Sequence, residues 1–300
     1  MNKVKNIFFK ILNFFVKTYL ELFIFDKRIR RILKGKFCKW YIKKYINDVE
    51  FNFNTQLSKK GTYRIWQYWD SGFENAPEII KTCINSVDKY RGNIERILLN
   101  DNNIQEYVHI PKFYYELKDK GIIKAAHFAD ILRTYLLYEH GGCWIDASVL
   151  LTDKLPEYIY FSNLFVFKSI EEDDPDELSM TNYFMASDGT SILIAKMKDF
   201  LDKYWQDNDF AINYFFYMYA FTLFTKSSQE NKKEFDKIFY FPYSTIQQME
   251  KELSDIFSFQ RFEQLKSMSS IHKLSYKQCV FNKHKKTLSN SLYNYLLLHK

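Results

Sequence analysis

GIIKAAHFADILRTYLLYEHGGCWIDASVLLT, residues 121–152, changes its periodicity partway along, and that change decides the fold. Ala125, Phe128, Ala129, Leu132 and Leu136 recur at i, i+3, i+4, i+7 and i+11, the spacing of an apolar helical stripe facing a core. Asp130 and Arg133 sit off that stripe, three apart on a shared flank. The helix is predicted to end at Gly141, because glycine takes the left-handed conformation past a helix end without steric cost. A short buried strand, Cys143–Ile145, then delivers Asp146 to the end of a sheet, the edge at which open α/β sheets bind ligands.

Outward from this segment, strands and helices alternate. RIWQYW (64–69) reads as a strand, followed by the loop DSGFENAP and a helix over Glu78–Tyr90. Arg96–Leu99 is the next strand, ending in the polar run Asn100–Asn103, and a helix over Pro111–Lys120 follows. TNYFMAS (181–187) is strand-like, and helices run through the aromatic YWQDNDFAINYFFYMYAFTLF (204–224). This order predicts an α/β fold with a mostly parallel sheet flanked by helices. EEDDPDE (171–177) reads as a solvated acidic loop, and the tail after Ser275 is basic and helix-prone. The expected division is a basic amphipathic N-terminal segment (1–50), an α/β domain (51–275) and a helical tail (276–300).

The composition, with 8 Gly and 5 Pro against 29 Phe and 23 Tyr, leaves little room for flexible linkers. Cys38, Cys83, Cys143 and Cys279 lie far apart with no CxxC pair, which argues against a disulfide framework and a zinc knuckle and fits a reducing cytoplasm. The net charge of +7 is local: residues 1–50 carry 13 Lys/Arg against 4 Asp/Glu, so the rest of the chain is slightly acidic. A nucleic-acid-binding protein would rest only on those first 50 residues, and no nucleic-acid partner is expected.

Ile7–Phe25 is apolar, yet Lys10, Lys17 and Glu21 fall inside it. Each charge at a bilayer centre costs roughly 2.5–3.5 kcal/mol, so an interfacial helix is a better reading than a span. No small-residue cleavage site follows it, which argues against a removable signal. KRIRRILKGKFCKWYIKK (27–44) then interleaves basic and apolar residues as an anionic lipid surface favours. Peripheral contact with the inner face of the cell membrane is the expectation; a helix packed on the main domain is the alternative.

The motifs IWQYW (65–69), GFENAPEI (72–79), AAHFADILRTYLLYEHGGCWIDASVLLT (125–152), NYFMAS (182–187) and SSIHKLSYK (269–277) resemble the capsular polysaccharide synthesis family of glycosyltransferases, relatives of the initiating mannosyltransferases and glucosylating toxins. The resemblance covers residues 64–275 or so. It implies a GT-A-like domain that is usually metal-dependent and generally retaining. It also implies a nucleotide-sugar donor, with UDP the expected nucleotide, and a glycan or lipid-linked oligosaccharide acceptor.

Carried onto this sequence, the resemblance puts Trp66, with Gln67 beside it, at the first strand, where relatives stack a ring on the nucleotide base; a core Trp is the alternative. Asp130 and Arg133 match a pair that contacts ribose or donor-sugar hydroxyls, the alternative being an ion pair. Asp146 matches the first position of the DxD motif, placed to anchor Mn²⁺ or Mg²⁺; a loop-capping Asp is the plainer reading. The third position is Ser148, which brings no charge, so His272 is the expected additional metal ligand and Lys273 the expected charge for the diphosphate. His127 and His140, about 20 Å apart along one helix at 1.5 Å per residue, cannot share an ion; packing and helix C-capping are their expected roles. The aromatic 204–224 region is expected to form core or to line the acceptor side. No carboxylate pair suggests a covalent nucleophile, so a front-face transfer is expected. The missing second carboxylate also keeps open a non-catalytic sugar-nucleotide or glycan-binding protein.

Overall fold

The computed structural model describes residues 3–48, 62–168, 178–276 and 289–299. The acidic loop 171–177, Cys279, the expected boundary near residue 51 and the tail over 277–288 lie outside the described residues. Two helices come first, α1 (Lys3–Phe23) and α2 (Lys27–Asp48). Next come β1 (Arg64–Tyr68), α3 (Glu78–Tyr90), β2 (Glu95–Leu99), α4 (Lys112–Asp119), α5 (Ala125–Glu139), β3 (Gly142–Ile145) and β4 (Val149–Leu151). After these lie α6 (Glu157–Tyr160), β5 (Phe165–Lys168), β6 (Met180–Ser187), α7 (Ile192–Asp207), α8 (Phe216–Thr225) and α9 (Gln229–Lys237). The chain closes with α10 (Tyr243–Ile246), α11 (Gln248–Lys251), α12 (Phe259–Met268), β7 (Ile271–Lys273) and α13 (Leu292–Leu298).

The main sheet has the order β2-β1-β3-β6-β5. β1 runs parallel to β2 and to β3, but β6 is antiparallel to both β3 and β5. The sheet is therefore mixed, which corrects the expectation of a mostly parallel one: the helical crossovers that impose parallel pairing occur only in its first half. Alternation along the strands feeds two cores. Trp66, Tyr68 and Trp144 join the layer of α5, α7 and α8, while Ile65, Cys143 and Ile145 pack on the other side with Val87, Val149 and Ile159.

The turn between α5 and β3 explains its two glycines. Gly141 has φ of +66° directly after the helix, as expected, and Gly142 has φ of +92°. A Cβ on Gly142 would lie 2.3 Å from the Arg64 carbonyl, so β1 and β3 approach closely only because that residue has no side chain.

The N-terminal helices do not stand apart from the domain. Cys38, Tyr41, Ile42 and Tyr45 of α2 are buried in the core shared with α5, α7 and α8. The Tyr41 hydroxyl donates to Asn208 Oδ1 (2.6 Å), and Asn208 Nδ2 donates to the Tyr45 hydroxyl (2.7 Å). Gly35 lets α2 pass close to Tyr219, whose hydroxyl would sit 2.8 Å from an added Cβ. One side of the basic helix is thus protein core rather than lipid-facing. α1 differs, leaving Ile7, Phe8, Ile11, Phe14, Phe15, Tyr19 and Leu22 about half exposed or more. Among the described residues no helix is long and apolar enough to cross a membrane.

Candidate active site

Beyond the carboxyl ends of the parallel strands β1 and β3, a cleft of about 540 Å³ opens between α5, the turn after β3, the start of α8 and the end of β7. Its position follows from strand direction: both strands deliver their following loops to this edge. Asp130, Arg133, Asp146, Ser148 and Lys273 all line it.

Asp146 leaves β3 at the start of a turn closed by Val149 N donating to its carbonyl (2.9 Å), while its own N–H donates to Tyr183 O (2.9 Å). Trp144 Nε1 donates to Asp146 Oδ1 at 2.8 Å, fixing the carboxylate. Arg133 stands 3.4 Å from an oxygen of Asp146 and 3.4 Å from one of Asp130. Its guanidinium lies over the Trp144 ring, 4.9 Å from the centroid, and it donates to Ala129 O (3.1 Å) and to Asn182 O. Asn182 Nδ2 donates to Asp130 Oδ1 (2.7 Å). Arg133 is therefore a fixed positive charge, with few ways to move.

β7 brings the other cation from far along the chain. Val149 pairs with Lys273 and Leu150 with His272, and Leu274 N donates to Ser148 O (2.8 Å). Successive strand residues face opposite sides, so Lys273 enters the cleft and His272 turns away from it. The Lys273 ammonium lies 3.5 Å from Asp146 Oδ2 and hydrogen-bonds the Ser148 hydroxyl.

His272 is thereby corrected as a candidate metal ligand. It is buried, with Nε2 3.2 Å from the Thr152 hydroxyl, and burial pushes its pKa down to about 4. Among the described residues no three His, Cys, Asp or Glu side chains cluster as a metal site. The expected set of Asp146, Ser148 and His272 does not fit an ion: its one histidine points elsewhere, and an ammonium occupies the space between the other two.

Trp66 is also corrected. It is 1% exposed, packs against Tyr107 and His140, and donates Nε1–H to Gly141 O at 2.9 Å. Gln67 is fully buried beside Arg96 and does not line the cleft. The tryptophan of this motif that does line the cleft is Trp69, one residue beyond the strand end, where it meets Tyr276 edge-on at 5.7 Å. His127 packs among Trp205, Tyr214 and Phe216, and His140 is the C-cap residue of α5, its backbone N–H donating to Leu136 O (2.8 Å), while its Nε2 lies 2.6 Å from Tyr107 O. Both therefore occupy the roles expected of them.

Sequence reasoning missed Trp69, Asn182 and Glu250. The first two lie in motifs already singled out, and the strand-end position of Trp69 was a usable signal. Glu250 on α11 had none: it reaches the cleft only through the packing of α11 on β7, and burial raises its carboxyl pKa. The aromatic region divides as well. Tyr214, Phe215, Tyr217 and Met218 line the cleft, whereas Tyr204, Trp205 and Phe216 are core.

A family model described as capsular polysaccharide synthesis protein matches residues 20–296. A curated relative, the O-glycosyltransferase PaGT of Phomopsis amygdali, is 26% identical over 161 residues, 48% of this chain. The match spans 39% of that relative's own length. Among solved structures, the PaToxG glycosyltransferase aligns with 90% of this chain and 96% of its own, at 13% identity and a TM-score of 0.40. The apo form of the glycosyltransferase GlyE of Streptococcus pneumoniae TIGR4 aligns with 80% of this chain and 63% of its own, at 12% identity and a TM-score of 0.40.

Proposed function

This chain belongs to the capsular polysaccharide synthesis protein family, and we propose that it is a glycosyltransferase moving a sugar from a nucleotide diphosphate donor, UDP-linked, to a glycan or lipid-linked surface-polysaccharide acceptor. The observation that carries this reading is the convergence of Asp130, Arg133, Asp146, Ser148 and Lys273, from three separate elements, on one cleft at the sheet's ligand-binding edge.

Breaking the bond to the anomeric carbon leaves negative charge on the diphosphate, which fixed cations stabilise most where they need not reorganise. Arg133 is such a cation, and Lys273 is a second whose flexible stem lets it leave Asp146 for a phosphate oxygen. Asp146, held by Trp144, orients both. Asp130, held by Asn182, accepts hydrogen bonds from sugar hydroxyls, and Trp69 with Tyr276 supports the base. The transfer is retaining and proceeds on the donor's front face, the leaving diphosphate accepting the proton of the incoming hydroxyl. Asp130 and Asp146 are poorly suited as covalent nucleophiles, since both are engaged by Arg133. A divalent ion between Asp146 and Ser148 would have to displace the Lys273 ammonium. The enzyme works in the cytoplasm, peripherally on the inner face of the membrane.

Thermal-shift screening of nucleotide sugars, followed by donor hydrolysis and transfer assays, tests the proposal. A ligand that binds only the native state raises the melting temperature. Stabilisation without turnover of any donor would instead favour a sugar-nucleotide-binding protein.

A further inference from the structure

His127 lies one helical turn before Asp130 on α5, and packing accounts for its ring but not for its nitrogen. Trp205, Tyr214 and Phe216 surround the imidazole with ring centroids 6.2, 6.0 and 5.2 Å away. A phenylalanine would make the same contacts. Nδ1 is different, because it is buried without a hydrogen-bond partner among the described residues. A polar nitrogen so placed costs free energy that packing does not return, and calls for a functional or structural reason. It faces Asp130 Oδ2 at 3.7 Å, and both side chains are only 7% exposed.

The two oxygens of Asp130 are not equivalent. Oδ1 accepts from Asn182 Nδ2 at 2.7 Å and lies 3.4 Å from the Arg133 guanidinium. Oδ2 is engaged by neither, which leaves it as the oxygen able to meet a ligand on a residue that lines the cleft. A carboxylate oxygen offers two lone pairs, so Oδ2 can accept a hydroxyl and an Nδ1–H together. At 3.7 Å the His127–Asp130 pair is longer than a hydrogen bond, a separation from which active-site contacts commonly tighten as substrate is gripped. Tyr214 links the pair to the cleft: it is 64% exposed, lines the cleft and packs against the His127 ring.

Resting on the glycosyltransferase reading above, we infer that His127 is a positioning residue whose Nδ1–H closes on Asp130 Oδ2 as that oxygen accepts a hydroxyl of the donor sugar, fixing the angle of the carboxylate. His127 does not itself line the cleft. It acts through Asp130, as Asn182 does through the other oxygen. The arrangement requires the hydrogen on Nδ1, because a bare nitrogen would set its lone pair against a carboxylate.

The test uses the full-length protein with two substitutions that separate packing from hydrogen bonding. His127→Phe keeps the ring contacts and removes the nitrogen; His127→Asn places an amide N–H near the former Nδ1 but leaves core volume empty. UDP-hexoses and UDP-N-acetylhexosamines are the probes, with UDP alone as reference. His127→Phe should bind the best UDP-sugar about tenfold more weakly, bind UDP as the parent does, and melt at the parent temperature or above. His127→Asn should recover most of the UDP-sugar affinity while melting lower. A packing role would make affinity and stability fall together, and full UDP-sugar affinity in His127→Phe overturns the inference. In an Asp130→Asn background the His127→Phe loss should vanish, since one residue acts through the other; a loss of the same size there also overturns it. The imidazole nitrogen NMR spectrum should show hydrogen on Nδ1 and should shift in Asp130→Asn, and a bare Nδ1 sinks the pair. Should no UDP-sugar bind better than UDP, the donor reading fails and takes the sugar role with it, whereas the pair itself still stands or falls on the nitrogen spectrum.

Discussion

The Lys273 ammonium lies 3.5 Å from Asp146 Oδ2, an approach between residues 127 apart in sequence. The strand-end carboxylate therefore already has a cation beside it, and Arg133 supplies another at 3.4 Å. Both would be redirected when a diphosphate enters, which makes Asp146 the group that positions the positive charge.

Asp146→Asn keeps the size of the side chain and removes its charge. Donor turnover should fall by about 10²-fold, the order of loss when one preorganised electrostatic group is removed, with the melting temperature nearly unchanged. Residual activity within a few-fold of the parent would remove Asp146 from the machinery.

Lys273→Met should weaken donor binding and lower kcat, because a diphosphate loses its mobile counter-charge. The parent enzyme should retain most of its activity in chelator. Strict dependence on added Mn²⁺ would show instead that the donor brings an ion able to displace the Lys273 ammonium.

His272 makes stability depend on pH. Its folded pKa, about 4 against an ordinary 6.5, means the unfolded chain binds the proton more readily. The full stability is present above pH 6.5 and is lost as pH falls from there towards 4, by about 3 kcal/mol in all. Urea unfolding across that window should show this slope, and His272→Gln should flatten it. Titration of the His272 ring near 6.5 by NMR would contradict the burial argument.

Trp66→Phe should lower stability by about 1–2 kcal/mol through loss of the Nε1–H bond to Gly141 O and some core volume. The donor KM should not change. A large rise in KM at constant stability would restore the base-stacking role to this residue.

Gly142→Ala should be the most damaging of these changes. The added Cβ meets the Arg64 carbonyl at 2.3 Å on a backbone with φ of +92°, and neither strand can yield without breaking the β1–β3 pairing. A loss of more than about 2 kcal/mol is expected from strain and overpacking together, read as a lower urea midpoint or insoluble protein.

Local order along the chain determined most of the elements and one edge of the site. The 3.6-residue spacing of apolar side chains marked Glu78–Tyr90 and the helix ending before Gly141, and the following apolar run placed Asp146 at a strand end. These are properties of neighbouring residues, so no distant contact was needed to read them. Tertiary structure decided the rest. His272 and Lys273 are adjacent, and only the register of β7 against β4 selects which one enters the cleft; a one-residue slip would exchange them. The same logic separates buried Trp66 from Trp69, and the antiparallel turn-back of β6 is a choice of strand partner that local periodicity does not encode. The N-terminal basic helix showed its charge in sequence, but the Tyr41 and Tyr45 hydrogen bonds to Asn208 that anchor it beside the cleft span more than 160 residues. Such pairings are settled by which surfaces can be buried together, and that becomes visible only when the whole chain is folded.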